Sequence, residues 1–174
     1  MHKMKRINTA ILLVCLLLIT GCKSKQNITV KENKALSAAQ VKLGIRADKH
    51  DDVGLLTECA SWLGVPYAYG GNTKQGVDCS GFTCAVYKNV YGKKLHRRSR
   101  DQYHKDVSKK KRSSLKQGDL VFFTSPNSGR ECGHVGIFLK EDLFIHASSS
   151  RGIVVDNLNG KYWEKHWLSG GTVK

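Results

Sequence analysis

The residue best suited to covalent chemistry in this chain is Cys79. It lies in the segment Asp78-Cys79-Ser80-Gly81-Phe82, after a glycine-rich stretch and at the predicted start of a helix. The positive end of a helix dipole lowers the pKa of a thiol and favours the thiolate, which is the nucleophilic form. Ser80 and Gly81 are expected to leave the surface beside the sulfur uncrowded. We therefore predict that Cys79 is a catalytic nucleophile.

The other five cysteines are weaker candidates. Cys59 and Cys84 fall on apolar faces of predicted helices, where a cysteine behaves as a small hydrophobic residue, and Cys132 lies in a predicted turn. Cys15 and Cys22 belong to the N-terminal region. Neither Cys-x-x-Cys pairs nor clustered His-x-x-x-His spacing occurs, so we expect no metal site and no cofactor. One disulfide among Cys59, Cys84 and Cys132 is left open, because exported proteins can form them.

Two histidines are placed to assist a cysteine nucleophile. His134 and His146 lie in apolar segments that are predicted to be adjacent strands of one hairpin, where they would lie side by side. A cysteine nucleophile needs an imidazole that takes its proton and a third group that orients this imidazole. We predict that His134 is the base and that His146 is the orienting residue.

The elements that would position these residues change in character along the chain. An acidic first turn at Asp51–Asp52 begins one helix, a second is predicted from Cys79 to Tyr91, and a short third from Ser99 to Val107. The last third contains short apolar runs bounded by turn residues, as in antiparallel hairpins, at residues 119–124, 134–139, 143–147 and 152–156. Helices followed by strands predict an α+β fold.

The N-terminal region has the features of an export signal. Residues 1–21 combine a basic start with an apolar core that is shorter than the roughly 20 apolar residues needed to span a bilayer. Cys22 follows Leu18-Ile19-Thr20-Gly21, which resembles the lipobox of bacterial lipoproteins. An ordinary signal with a chance cysteine is the alternative. A multiply acylated Cys22 would be a stable membrane anchor.

We divide the chain into three parts. Residues 1–21 are the predicted lipoprotein signal, residues 22–50 a polar membrane tether with a short helical piece near Ala35–Gln40, and residues 51–174 the folded domain. We expect an exported lipoprotein of the cell envelope, held in the outer membrane if the source is Gram-negative.

Charge narrows the choice of partners. The chain carries 29 basic and 14 acidic residues, a formal net charge of +15, which favours polyanionic surroundings. Export argues against a nucleic-acid partner, and the densest basic run, residues 109–112, has no interleaved aromatic residues to stack on bases. We predict that this run is a solvated loop, with a specific anion site as the alternative, and that the protein is a monomer.

Successive segments of the chain resemble the signature blocks of the NlpC-type cell-wall cysteine peptidases. They occur in the family's order, and the resemblance covers about Asp51 to Val173. The blocks are Gly64-Val65-Pro66-Tyr67 with Gly70-Gly71, Asp78-Cys79-Ser80-Gly81-Phe82, Gly118-Asp119-Leu120-Val121-Phe122-Phe123, Gly133-His134-Val135-Gly136-Ile137, and Phe144-Ile145-His146-Ala147-Ser148-Ser149-Ser150.

The resemblance implies a papain-like α+β fold, with the nucleophile helix packed on an antiparallel sheet. It also implies cleavage of peptidoglycan stem peptides, typically at the bond between the γ-carboxyl of D-glutamate and the following diamino acid. On this pattern Cys79 attacks the carbonyl, His134 moves the proton and His146 fixes the His134 ring. The sequence does not identify the diamino acid or the stem length.

Three more residues take roles from the resemblance. Tyr67 matches a tyrosine that supports the oxyanion, and a loop aromatic packed on Pro66 is the alternative. Asp78 and Ser80 match positions that in some members hold a free amino group of the substrate. A helix cap is the alternative for both, because Asp and Ser are favoured there in any protein.

Two other functions remain compatible with these residues. An inactive, wall-binding relative is one, although the presence of Cys79, His134 and His146 together argues against it. A cysteine acyltransferase or another amidase on the same fold is the second, because a fold alone does not determine the reaction.

Overall fold

The computed structural model describes residues 31–46, 48, 50–124, 129 and 131–174. The predicted signal (residues 1–21) and the predicted lipidation site (Cys22) lie outside the described residues. Within the described ranges, every helix is too short or too polar to cross a bilayer.

The described part of the chain contains helices first and strands afterwards, which confirms the predicted α+β class. The α-helices are α1 (residues 31–43), α2 (Val53–Trp62), α3 (Cys79–Tyr91), α4 (Ser99–Asp101) and α5 (Lys161–His166); α4 continues into a π-helical turn at Gln102–Asp106, and Arg112–Ser114 form a 3₁₀ turn. The strands are β1 (Asn72–Thr73), β2 (Gly76–Val77), β3 (Val107–Lys110), β4 (Leu120–Phe123), β5 (His134–Lys140), β6 (Leu143–Ser148), β7 (Gly152–Asn157) and β8 (Trp167–Val173).

One antiparallel sheet of six strands organises the domain, in the order β3-β8-β4-β5-β6-β7. Helix α3 packs against β5 and β6, and α2 packs against α3. The short strands β1 and β2 form a separate hairpin just before α3. The chain therefore brings the start of α3 close to strands that follow it by more than fifty residues.

Each face of the sheet is buried by a different set of side chains, because neighbouring residues of a strand point to opposite faces. On β4, Leu120 and Phe122 join the main core on the helical side. Val121 and Phe123 join a smaller cluster on the other face, together with Phe138, Phe144 and Leu158. The same alternation places His134 and His146 on the face of this smaller cluster, in step with Phe138 and Phe144.

The predicted starts of α2 and α3 and the predicted end of α3 are confirmed, because local capping signals specify them. Asp52 accepts a hydrogen bond from the Leu55 N–H at 2.9 Å and begins α2. Asp78 accepts one from the Gly81 N–H at 2.7 Å and begins α3. Gly92 ends α3 with φ of 64°, a left-handed conformation that glycine adopts without a steric penalty.

The predicted tether needs a correction over residues 31–46. Helix α1 covers residues 31–43, and its Ala39 and Leu43 are buried in the main core, as is Ile45 just after it. The polar composition of this stretch concealed a narrow apolar stripe, since most of its other side chains face solvent. The packed part of the chain therefore begins before residue 51.

The basic run was also predicted wrongly. Lys109 and Lys110 belong to edge strand β3 rather than to a loop, and Lys110 pairs with the buried Asp119 at 3.0 Å. Lysine on an edge strand is a common way of preventing further strand pairing. Strand β8, which pairs with β3 and β4, was not predicted, because its Ser169-Gly170-Gly171 segment has low β propensity.

Candidate active site

Cys79 lies in the first turn of α3 and is only 9% exposed. Burial raises the pKa of its thiol to about 11, although the backbone N–H groups of Val135, Ser80 and Cys79 itself act in the opposite direction. The N–H groups at the helix start therefore act in the expected direction, but the net shift is opposite to the one expected, because loss of water around the sulfur outweighs them. At neutral pH the thiol therefore carries its proton.

Gly71 and Gly81 allow the loop before α3 to lie against the first turn of this helix, next to Cys79. A Cβ atom on Gly81 would lie 2.3 Å from the carbonyl oxygen of Gly71, and one on Gly71 would lie 2.4 Å from the carbonyl oxygen of Gly76. The loop therefore lies directly on the first turn of α3, and only glycine permits this distance. Gly81 is buried by this contact, so the predicted open surface beside the sulfur does not extend to it.

His134 and His146 are hydrogen-bonded to each other, with 3.0 Å between Nε2 of His134 and Nδ1 of His146. The register pairs Gly136 with His146, so the two histidines form a diagonal pair across β5 and β6. A Cβ atom on Gly136 would lie 2.8 Å from the carbonyl oxygen of Ile145 and 3.1 Å from Cβ of His146. The predicted neighbouring position of the two histidines is confirmed, and Gly136 makes room for it.

Asp156 extends this pair into a chain of three residues. Nε2 of His146 lies 3.0 Å from Oδ2 of Asp156. The carboxylate also accepts hydrogen bonds from both terminal nitrogens of Arg151, at 3.0 and 2.6 Å, and from the indole N–H of Trp163 at 3.2 Å. Burial favours the protonated form of Asp156, but the bonds from His146 and Arg151 outweigh it and hold the pKa well below its usual range.

The hydrogen bonds along His134–His146–Asp156 select one tautomer for each imidazole ring. An ionised carboxylate only accepts hydrogen bonds, so Nε2 of His146 must carry the proton that faces Asp156. Nδ1 of His146 is then an acceptor, and Nε2 of His134 must donate to it. Nδ1 of His134 is left unprotonated, which is the state that a general base requires.

Aromatic rings surround the histidine pair. His134 stacks on Trp163 with 5.7 Å between ring centroids, and His146 lies between Phe144 at 5.0 Å and Trp163 at 4.8 Å. Burial, followed by repulsion from a charged His146, lowers the pKa of His134 from 6.5 to about 3. Burial also lowers the pKa of His146, although Asp156 opposes the shift. Both rings are therefore neutral at neutral pH.

The lowered pKa of His134 links the site to folding. Below about pH 6.5 the unfolded chain binds a proton at this residue, whereas the folded chain does not until the pH approaches 3. The stability of the fold therefore decreases as the pH falls through this window, by up to about 1.4 kcal/mol per pH unit for this group.

Cys79 and the histidines border two adjoining cavities. One, of about 470 Å³, is lined by Cys79, and the other, of about 620 Å³, by His134 and His146. Both cavities are also lined by Tyr67, Tyr69 and Gly133, which therefore mark their junction. We call the two cavities together the groove.

Tyr67 lines both cavities of the groove, the one that contains Cys79 and the one that contains the two histidines. Burial, and then the proximity of Cys79 and Asp78, raise the pKa of its hydroxyl. The hydroxyl is therefore protonated at neutral pH and able to donate a hydrogen bond. Its role toward an oxyanion remains a prediction.

Asp78 and Ser80 border the groove but are 8% and 5% exposed. The capping alternative is confirmed for Asp78, which bonds to the Gly81 N–H. The two side chains also bond to each other and to Arg97, so their polar atoms are engaged within the protein.

Some residues of the site were missed from the sequence. Asp156 had one recognisable signal, since it is a lone acid in an otherwise apolar predicted strand next to the strand of His146. Trp163 lies in a segment without a motif of its own. Arg97 was not predicted as a site residue, although its segment Leu95-His96-Arg97 resembles the family's Leu-Pro-Arg segment. The described cysteines, Cys59, Cys79, Cys84 and Cys132, are all free, and the described residues contain no group of three or more His, Cys, Asp or Glu side chains arranged to hold a metal ion.

Residues 64–172 match the NlpC/P60 family. The chain belongs to this family. Among its NlpC/P60 relatives, it is 40% identical over 115 residues to the murein DD-endopeptidase MepS/murein LD-carboxypeptidase of Escherichia coli K12, covering 65% of this chain and 58% of that protein. It is 34% identical over 135 residues to a probable endopeptidase NlpC homolog of Haemophilus influenzae, covering 78% of this chain and 70% of that protein.

Solved NlpC/P60 structures show the same architecture. A lipoprotein-like NLP/P60 family protein from Staphylococcus aureus superposes with a TM-score of 0.62 at 29% identity, over 73% of this chain and 45% of that one. The NlpC/p60 domain of the peptidoglycan hydrolase SagA superposes with a TM-score of 0.59 at 29% identity, over 68% of this chain and 96% of that one. The predicted papain-like α+β fold is confirmed.

We predict that Asp156→Asn lowers kcat roughly 10–100-fold and changes KM less than about threefold, because the variant no longer enforces the tautomer of the two histidines. Steady-state kinetics on a peptidoglycan fragment measures both constants. Asp142→Asn is the matched control, since Asp142 pairs with Arg112 at 3.1 Å and lines neither cavity of the groove. Equal activities of Asp156→Asn and the wild type would contradict the role of Asp156 in fixing the tautomers of the two histidines.

Proposed function

We propose that this protein is a cysteine endopeptidase that cleaves the stem peptides of peptidoglycan. Cys79 is the nucleophile, His134 the general base and His146 the residue that orients it. The observation that carries the proposal is the hydrogen-bonded chain His134–His146–Asp156 beside a groove that contains Cys79. The 40% identity to a relative named murein endopeptidase supports the substrate class.

The reaction starts from an uncharged pair, a thiol and a neutral imidazole. As the sulfur of Cys79 attacks the peptide carbonyl, Nδ1 of His134 takes the thiol proton. The imidazolium that forms is stabilised through His146 by the charge of Asp156. Tyr67 donates a hydrogen bond to the oxygen on which negative charge develops.

Collapse of this intermediate breaks the peptide bond and leaves an acyl group on Cys79. His134 gives its proton to the departing amine and becomes a base again. It then takes a proton from a water molecule, which attacks the thioester and releases the carboxylate product and the free thiol. His134 therefore exchanges a proton in each half of the reaction, and the fixed tautomer prepares it for both.

For the bond that is cut, we propose the γ-D-glutamyl–diaminoacyl bond within the stem. A second candidate is a cross-link between stems, because the relative of E. coli is named a DD-endopeptidase and LD-carboxypeptidase. The chain spans 58% of the length of that relative, so the identity covers only part of it. The masses of the products distinguish the two bonds.

Two other functions compete with the proposal. A Mycobacterium tuberculosis protein of this fold, RipD, is described as a non-catalytic domain adapted to peptidoglycan binding, but at 20% identity the likeness extends only to the fold. The presence here of Cys79 together with the hydrogen-bonded histidines favours catalysis over binding alone. Transfer of the acyl group to an acceptor other than water is the other alternative, and product analysis would detect it.

We predict that protein lacking residues 1–22 releases peptide fragments from peptidoglycan and that Cys79→Ala abolishes this release, because no other described cysteine lines the groove. Mass spectrometry of the products identifies the cut bond. Cys84→Ala is the matched control on the same helix and should retain activity, since Cys84 lines neither cavity of the groove. An active Cys79→Ala variant would contradict the assignment of the nucleophile.

We also propose that the protein is exported and anchored to a membrane of the cell envelope through lipidated Cys22. The lipobox-like sequence before Cys22 supports this. In cells that express the full chain, Cys22→Ala should move the protein from the membrane fraction to the soluble fraction, because the acyl chains are lost. Cys15→Ala, within the predicted signal, should leave the fractionation unchanged. A Cys22→Ala protein that stays in the membrane fraction would argue against lipidation.

A further inference from the structure

Arg151 is the last residue of the turn between β6 and β7, and it lines the cavity that contains the two histidines. Its guanidinium donates from Nη1 to Oδ1 of Asp156 at 3.0 Å and from Nη2 to Oδ2 at 2.6 Å. Two parallel bonds of this kind are both strong and geometrically specific. The side chain of Arg151 is 51% exposed and that of Asp156 is 18% exposed, so the pair joins the buried histidines to the open cavity.

The backbone beside Arg151 is fixed by contacts with the loop before β1. Gly152, with φ of 71°, lies so close to this loop that a Cβ atom on it would be 2.4 Å from the carbonyl oxygen of Val65. The next residue, Ile153, donates from its N–H to the same carbonyl at 2.9 Å. The position of Arg151 is therefore determined by backbone contacts as well as by the bonds of its side chain.

Among the described residues, two ionisable side chains bond to the carboxylate of Asp156, Arg151 from the turn and His146 from β6. The indole N–H of Trp163, from α5, is its other polar contact. Burial opposes ionisation of Asp156, and the bonds from His146 and Arg151 lower its pKa. Because burial keeps the His146 ring neutral, the full positive charge at this carboxylate comes from Arg151.

A protonated Asp156 would reverse the hydrogen bonds between the two histidines. A carboxylic acid can donate a hydrogen bond, whereas a carboxylate only accepts. Its O–H would donate to Nε2 of His146, which would then carry its proton on Nδ1 and donate it to Nε2 of His134. The proton of a neutral His134 would then lie on Nδ1, and this nitrogen would no longer accept the proton of Cys79. The charge on Asp156 is therefore a condition for the action of His134 as a base.

We propose that Arg151 is a positioning residue: by holding a negative charge on Asp156, it keeps Nδ1 of His134 free and sets the lower pH limit of catalysis. The inference rests on the proposed function, in which His134 is the base. Without Arg151, one of the two groups that counteract burial is lost, and Asp156 takes up a proton at a higher pH. Catalysis should then fall as the pH decreases through this raised pKa, whereas the wild type should remain active at that pH.

The test compares the pH dependence of kcat for the wild type and Arg151→Met, both lacking residues 1–22, on a peptidoglycan fragment. At pH 8 the two kcat values should agree within about threefold, because Asp156 is ionised in both proteins. The acid midpoint of kcat should lie higher in the variant by about one pH unit or more. Arg151→Lys, which retains a positive charge, should have a midpoint between the two, and this variant decides the question if Arg151→Met does not fold.

Arg112→Met is the matched control. Arg112 pairs with Asp142 at 3.1 Å and lines neither cavity of the groove, so this variant should keep the wild-type midpoint. A folded Arg151→Met protein with the wild-type midpoint, or with kcat lowered by the same factor at every pH, would overturn the inference while leaving the endopeptidase proposal intact.

Imidazole ¹⁵N NMR gives a second readout that does not need activity. In Arg151→Met, acidification should move the proton of the neutral His134 ring from Nε2 to Nδ1, at a pH where the wild type still carries it on Nε2. The same tautomer in both proteins throughout the titration would overturn the role of Arg151. Cleavage by neither protein at any pH would instead contradict the proposed function, and the NMR comparison would still decide the role of Arg151.

Discussion

The hydrogen bond between His134 and His146 is the interaction on which the rest of the site depends. It requires the diagonal register of β5 and β6, and it requires glycine at position 136, because any side chain there would meet the Ile145 carbonyl oxygen, the ring of Phe144 and Cβ of His146. Asp156, on the edge strand β7, accepts a hydrogen bond from His146 and adds a negative charge to the pair. Three adjacent strands thus hold the proposed base His134, the proposed orienting residue His146 and the carboxylate that determines which of their nitrogens carry protons.

Burial determines the charge states of His134 and Cys79, the proposed base and nucleophile. Burial disfavours an imidazolium at His134 and a thiolate at Cys79, so both groups are neutral at neutral pH. In the proposed reaction the charges appear only when the sulfur attacks, and Asp156 is already in position to stabilise the imidazolium. Such preorganisation is a general source of rate enhancement, since no group has to reorient during the reaction. Folding stability in mild acid decreases as a consequence of the same burial.

The sequence predicted the features that depend on neighbouring residues. The starts of α2 and α3 follow from Asp52 and Asp78, and the strands that carry the two histidines follow from short apolar runs between turns. Features that depend on distant partners were missed or given the wrong sign. The pKa of Cys79 depends on burial by the whole domain, Asp78 is covered by Arg97 from a separate segment, and the glycines of β8 form a strand only because β3 and β4 flank them.

The central claim is that the hydrogen bonds that lead from Asp156 through His146 leave Nδ1 of His134 unprotonated in a neutral ring. Imidazole ¹⁵N NMR of protein lacking residues 1–22 tests it directly, with His134→Gln to assign the signals. We predict that His134 shows a protonated Nε2 and an unprotonated Nδ1, and that this pattern persists from about pH 8 to about pH 5, because its pKa is lowered to about 3. A His134 imidazolium at neutral pH, or a proton on Nδ1 of the neutral ring, would contradict the account.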